Sequence, residues 1–197
     1  MKHLTMMMAI GLLLLVAFGC SSSDQVSNTK PSSTPDHSES TQSTAELANG
    51  WNPQEACAYL SNINGLQTRG YKNLIEDGSG EWYTCSSHYK DLSNDFPLAN
   101  NIAYYVEGKK LIADEVKLVI NVYVTQKAKE THAELLLSCQ ELTKKALDVS
   151  MPKDVSGAVT SGKAGKWTVG KGTVELKREN FSSSKGYELH YIIRKKV

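Results

Sequence analysis

Phenylalanine and proline are scarce in this chain, three and five among 197 residues, and the signatures that would name a chemistry are scarcer still. No Gly-x-Ser-x-Gly stretch offers the strained elbow of a serine hydrolase; the serines crowd into an N-terminal tract and into turns. No two of the four cysteines stand at the close spacing of a zinc site, and His88 has no second ligand near it, so these residues predict no metal centre and no cofactor. The formal net charge is only +1, and lysine and arginine nowhere reach the density of a nucleic-acid patch. A comfortable membrane span needs about 20 apolar residues, and the longest run, Met6 to Phe18, falls short. One stretch, "GAVTSGKA" from Gly157 to Ala164, has the spacing of a phosphate-binding loop. Ala164 stands where the magnesium-binding Ser or Thr belongs, however, and its neighbours read as neither the strand before nor the helix after.

What is present begins with "MKHLTMMMAIGLLLLVAFGC": Lys2 near the front, the apolar run, and small Gly19 before Cys20, the layout of a secretory signal over residues 1–19. With Ala17, Phe18, Gly19 and Cys20 at its end, this segment resembles that of a bacterial lipoprotein precursor. Gly19 and Cys20 match that family's pattern, Ala17 replaces its usual leucine, and bulky Phe18 departs from it. The resemblance implies cleavage before Cys20, a diacylglyceryl group on its sulfur and palmitate-like acylation of the new amino terminus. Each buried methylene contributes roughly 0.8 kcal/mol, so two or more chains make a stable membrane anchor. In Gram-negative members the residue after the cysteine directs sorting, and Ser21 in place of aspartate implies the outer membrane. Ala17 and Gly19 also suit ordinary signal peptidase, which leaves a plain secreted chain beginning at Cys20 as the alternative.

From residue 20 to 49 the chain is mostly Ser, Thr, Pro and short polar residues with little to bury, which predicts a disordered tether. Its coil-like reach is roughly 30 Å, enough to hold the remainder near a membrane surface.

Residues 50–197 are of a length usual for one domain. In "NPQEACAYLSNING", Asn52 can cap a helix, Pro53 suits its first position, Glu55 completes a capping box and Asn64-Gly65 ends it. Ala56, Cys57, Leu60 and Ile63 share one face of that helix. A hairpin is expected around Asp77 to Gly80, and a second pair of strands in "NNIAYYVEGKK" and "EVKLVINVYV", the latter alternating Val116, Leu118, Ile120, Val122 and Val124 toward a core. A longer helix should run from a Thr125 cap to Leu147, with Ala128, Leu135, Cys139, Leu142 and Ala146 on one stripe and Lys144-Lys145 at its negative end. "GKWTVGKGTVELKREN" and "GYELHYIIRKKV" read as two last strands. The order predicts a single α+β domain: an antiparallel sheet of about six strands with two helices packed on one face.

Export places the cysteines where disulfides persist. Cys57 and Cys85 are nearest in sequence after Cys20 is set aside, and a sheet folded on the first helix would pair them; Cys139, on an apolar stripe, reads as a buried free thiol.

The other candidate side chains are dispersed. His88, His132 and His190 fall on a loop, a helix and a strand, and His3 and His37 in the signal and tether. Glu81, Glu107, Glu115 and Glu175 lie beside aromatics or on strands, where a pair across a cleft would suit glycosidic hydrolysis of a cell-wall sugar. Aromatics concentrate on strands, and adjacent Tyr104 and Tyr105 must point to opposite faces, leaving one available for binding. Residues 50–149 carry ten Lys and Arg against thirteen Asp and Glu, and residues 150–197 ten against four. That basic end suits anionic headgroups or an acidic protein, or is simply a solvated sheet face.

These features predict a non-enzymatic, lipid-anchored envelope protein whose domain binds a protein or an envelope polymer. An inhibitor or immunity protein against a periplasmic toxin or hydrolase is a sharper form of the same reading. A wall-acting hydrolase is the rival from another class.

Overall fold

The structure, a computed structural model, describes residues 49–63, 65–183 and 185–196. The signal segment, Cys20, Ser21 and the tether lie outside the described residues, apart from residue 49. Among the described residues no helix is long and apolar enough to cross a membrane.

The first helix, α1 (Pro53–Ala58), begins as its sequence dictates: Asn52 Oδ1 accepts hydrogen bonds from the amides of Gln54 (3.0 Å) and Glu55 (3.2 Å), and Pro53 occupies the first turn. It is shorter than its apolar spacing predicts, because residues beyond Ala58 continue as tightened turns, with Ser61 bonded to Ala58 and Ile63 to Leu60. Ala56, Cys57 and Leu60 are nonetheless buried as their shared face requires.

The architecture is α+β, as predicted. Strands β1 (Lys72–Asn73), β2 (Tyr83–Ser86), β3 (Lys90–Asp91), β4 (Asn101–Lys109), β5 (Ile112–Val122), β6 (Gly165–Val169), β7 (Gly172–Asn180) and β8 (Tyr187–Lys195) form one antiparallel sheet. Its order is β1-β2-β4-β5-β8-β7-β6, with β3 also paired to β4. The sheet has eight strands where about six were expected. One addition is β3; the other arises because "GKWTVGKGTVELKREN" reverses at Gly170-Lys171 and forms two paired strands, β6 and β7.

Period-two alternation sets the two faces. Val106, Val116 and Ile193 align across β4, β5 and β8, as do Tyr104, Leu118 and Tyr191, and all six are fully buried. Three helices cover this face in place of the predicted two: α1, α2 (Ala128–Leu147) and α3 (Lys153–Ser161). Leu135, Cys139 and Leu142 of α2 face the core on the predicted stripe. Thr125 does not cap α2; it opens a 3-10 turn, Thr125–Lys127, that leads into the helix. The unpredicted α3 spans part of the phosphate-loop-like stretch, so Gly157 to Ser161 lie in a helix and form no cradle. Val155 and Val159, one turn apart, bury completely, and Gly162 closes the helix with a left-handed φ of 63° that a side chain would resist.

Cys57 and Cys85 form a disulfide with a Cα–Cα distance of 6.2 Å, tying α1 to β2. Cys139 is a buried free thiol, and burial pushes its pKa well up.

Candidate functional site

At one end of the sheet three connections converge: the loop from β3 to β4, the β5–α2 junction and the β7–β8 turn. Buried Asn100 ties the first two together. Its Oδ1 accepts from the amides of Tyr123 and Val124, both at 2.8 Å, while its Nδ2 donates to the Val124 carbonyl (3.1 Å) and Thr131 Oγ1 (2.8 Å). All four polar partners lie inside the protein, so the buried amide of Asn100 is fully satisfied. Lys127 Nζ donates to Asp95 Oδ1 at 2.7 Å and holds that carboxyl below its ordinary range. In the third connection Phe181 stacks on Tyr123 with ring centroids 5.3 Å apart, and its amide bonds the Gly186 carbonyl. A side chain at Gly186 would collide with the Val122 carbonyl oxygen, so the turn passes there only because the residue is glycine.

These supports present apolar surface to solvent. Phe96 is 96% exposed and Leu98 56% exposed, on a loop that Asn100 and Asp95 fasten at its base. Between that loop and the Tyr123–Phe181 stack lies an open groove of about 500 Å³, lined by Phe96, Pro97, Leu98, Tyr123 and Phe181 with Lys185 at its edge. Large apolar side chains gathered on a surface mark an interaction site.

On the helix side of the same sheet end, a Thr160 carbonyl accepts from His132 Nδ1 (3.0 Å), so His132 Nε2 is the acceptor for the Tyr187 hydroxyl (2.8 Å). Burial pushes the His132 pKa down, and the Arg178 guanidinium, 3.5 Å from the Tyr187 ring centroid, pushes it the same way. Tyr187 is itself buried and its pKa raised, so the pair forms a neutral link between α2, α3 and β8.

The sheet face turned away from the helices gathers three of the four candidate carboxylates. Lys117 Nζ pairs with Glu107 (2.8 Å) and Glu115 (3.5 Å), while Arg194 pairs with Glu115 and with Glu175 (3.2 Å). They do lie together, but each is taken up by a cation on an open sheet surface, whereas glycosidic hydrolysis needs one carboxylic acid kept protonated beside a cleft. Glu81 is exposed and apart from them.

The remaining candidates separate. Arg69 Nη2 lies 3.0 and 2.9 Å from the two ring nitrogens of exposed His88, and His190 Nε2 bonds Glu188 at 2.9 Å; His3 and His37 lie outside the described residues. Tyr104 and Tyr105 do take opposite faces: Tyr104 is fully buried, its hydroxyl donating to the Ala56 carbonyl, while Tyr105 donates to the exposed Tyr89 hydroxyl at 3.0 Å. The basic C-terminal residues do not converge. Arg194 belongs to the carboxylate network, Arg178 lies over Tyr187 on the helix side and Lys195 lies 5.6 Å from the Trp51 ring. Sequence reasoning missed Phe96, Leu98 and Phe181; "FPL" in a loop was the available signal for the first two, and nothing near Phe181 signalled its stacking on Tyr123.

No protein-family model, curated protein or solved structure matches this chain.

Proposed function

We propose that the protein is a lipid-anchored, non-enzymatic component of the cell envelope that binds another protein through the groove beside Phe96 and Leu98. The observation that carries this reading is the exposure of Phe96 on a loop fastened at its base by Asn100 and by the Asp95–Lys127 ion pair. A large apolar side chain held in water costs solubility and offers nothing to the core; held rigidly, it loses little further entropy on binding. The partner's contact segment is accordingly apolar with an acidic flank to meet Lys185. The lipoprotein-like Ala17 to Cys20 segment supports the anchor, and anchoring through Cys20 would hold the groove within reach of other envelope proteins.

A protruding, braced aromatic also fits the sharper reading, an inhibitor or immunity protein that inserts Phe96 into the cleft of a toxin or hydrolase. The hydrolase reading of this chain itself draws no support from Glu107, Glu115 and Glu175, which are held in ion pairs.

The test is site-specific photocrosslinking in intact cells with the probe at position 96, against a control at exposed Lys145 on α2. A discrete protein adduct from position 96 and not from 145, lost when Leu98→Ser or Phe181→Ala is added, is expected. Adducts with lipid alone, or identical adducts from both positions, would overturn the reading. If the captured protein is an enzyme, its inhibition by the purified domain separates the inhibitor form from simple docking.

A further inference from the structure

Three potential ligand side chains meet on the sheet face opposite the helices, next to the Tyr123 and Phe181 end of the apolar groove. In the β7–β8 ladder Glu179 stands directly across from Glu188, and His190 lies two residues along β8 on the same face. One donor atom from each lies within 4.8 Å of the others. His190 Nε2 and Glu188 Oε2 are 2.9 Å apart. Around an ion with bonds near 2.1 Å, neighbouring ligand atoms sit about 3.0 to 3.4 Å from one another, so this hydrogen-bonded pair has only to part slightly, with release of the shared proton, to hold one metal. Glu179 is exposed and can close the remaining distance by a rotamer change.

A separate observation points to the same place. Asn121 stands across from Glu188 in the β5–β8 ladder, only 4% exposed, and its Oδ1 is buried and accepts no hydrogen bond. Its orientation is set on the other side: Asn101 Nδ2 donates to the Ala99 carbonyl, which leaves Asn101 Oδ1 to receive Asn121 Nδ2 at 2.8 Å. The two ends of an amide diverge, so Asn121 Oδ1 faces away from β4, on the Glu188 side. A buried carbonyl oxygen without a donor forfeits the hydrogen bonds it makes in water, a deficit that an ion beside Glu188, or a water bound to it, removes.

We infer that Glu179, Glu188 and His190 bind a divalent first-row transition ion such as zinc, with Asn121 Oδ1 as the oxygen beneath it. Two carboxylates and an imidazole are a mixed oxygen and nitrogen set, which disfavours calcium and magnesium, since both take oxygen ligands. Lys177, opposite His190, is exposed and free to turn its charge into solvent. The outer side of the ion faces water, where a further ligand from solvent or from a bound partner completes the shell.

The test is calorimetric titration of zinc chloride into the full-length protein purified in detergent and stripped with chelator, with calcium and magnesium titrations alongside. One ion per chain is expected, with affinity falling more than about tenfold in Glu188→Gln and in His190→Ala and unchanged in His88→Ala and His37→Ala. Thermal melting of each variant accompanies the titrations. Glu179→Gln, at an exposed position, supplies a variant that leaves the sheet's packing intact and should also weaken binding. Absence of saturable zinc binding, affinity unchanged in all three site variants, or tighter binding of calcium than of zinc would overturn the assignment.

Discussion

His132 is a buried imidazole whose charged form the fold opposes, since burial pushes its pKa below the ordinary value. In the unfolded chain it takes up a proton near pH 6.5, while in the folded chain it stays neutral to lower pH. Between those two values the unfolded state binds more protons, so the stabilisation is complete above the unfolded pKa and is lost as pH falls toward the folded one. Denaturant melts of the purified protein should therefore show stability declining from pH 7 to pH 5. In His132→Gln that decline should flatten, at the cost of a less stable protein at pH 7, because the Thr160 carbonyl and Tyr187 hydroxyl lose well-placed partners. A slope unchanged by the substitution would assign the pH dependence to another group.

At the scale of elements, the disulfide and the α2 stripe test each other. Cys57 and Cys85 close a loop of 28 residues, which constrains the unfolded chain by about 3 to 4 kcal/mol. For a domain of this size each kcal/mol moves the melting temperature by about 2 to 4 °C. Reduction, or Cys57→Ala with Cys85→Ala, should lower it accordingly, as differential scanning calorimetry would read. Cys139, fully buried against the sheet, should resist thiol reagents until the protein unfolds. Labelling of Cys139 under native conditions would show that α2 opens independently. Helix α3 was hidden by its own composition: Gly157, Ser156 and Thr160 are weak helix formers, and burial of Val155 and Val159 supports the helix where propensity does not. Its signals were still present, in Pro152 just before it, Asp154 in its first turn and Gly162 after it.

For the whole molecule, the question is how it is held in the envelope. Cys20→Ser removes the thiol that the lipoprotein-like signal presents for acylation, so the protein should accumulate as uncleaved precursor or move into the soluble fraction. Fractionation and mass measurement of the mature amino terminus would check this. A variant that is processed and sediments with membranes as the parent does would remove lipidation from the proposal. The ladder β4-β5-β8-β7 gives the domain a continuous frame, and the groove and the Glu179–Glu188–His190 cluster both depend on it: the first on loops at its end, the second on its register.

Local patterns along the chain were enough to specify the α+β class, the central strands, the stripe of α2 and the opposed faces of Tyr104 and Tyr105, because each rests on a short-range period or on a cap written in neighbouring residues, whereas the Cys57–Cys85 pairing followed only once the sheet was taken to fold on the first helix. The split of β6 from β7 was within reach of the same reading, at Gly170-Lys171-Gly172. Long-range placement decided the rest. Phe96 borders a groove only because Asn100 binds the Val124 backbone and because Phe181, from a turn far along the chain, stacks on Tyr123. Glu107, Glu115 and Glu175 became ion-pair partners, and Glu179 a neighbour of Glu188, through strand register, which pairs residues distant in sequence. Side-chain periodicity says which face a residue takes, while the identity of its neighbour across the ladder follows from how the strands align, and that is settled when the whole sheet packs on its helices.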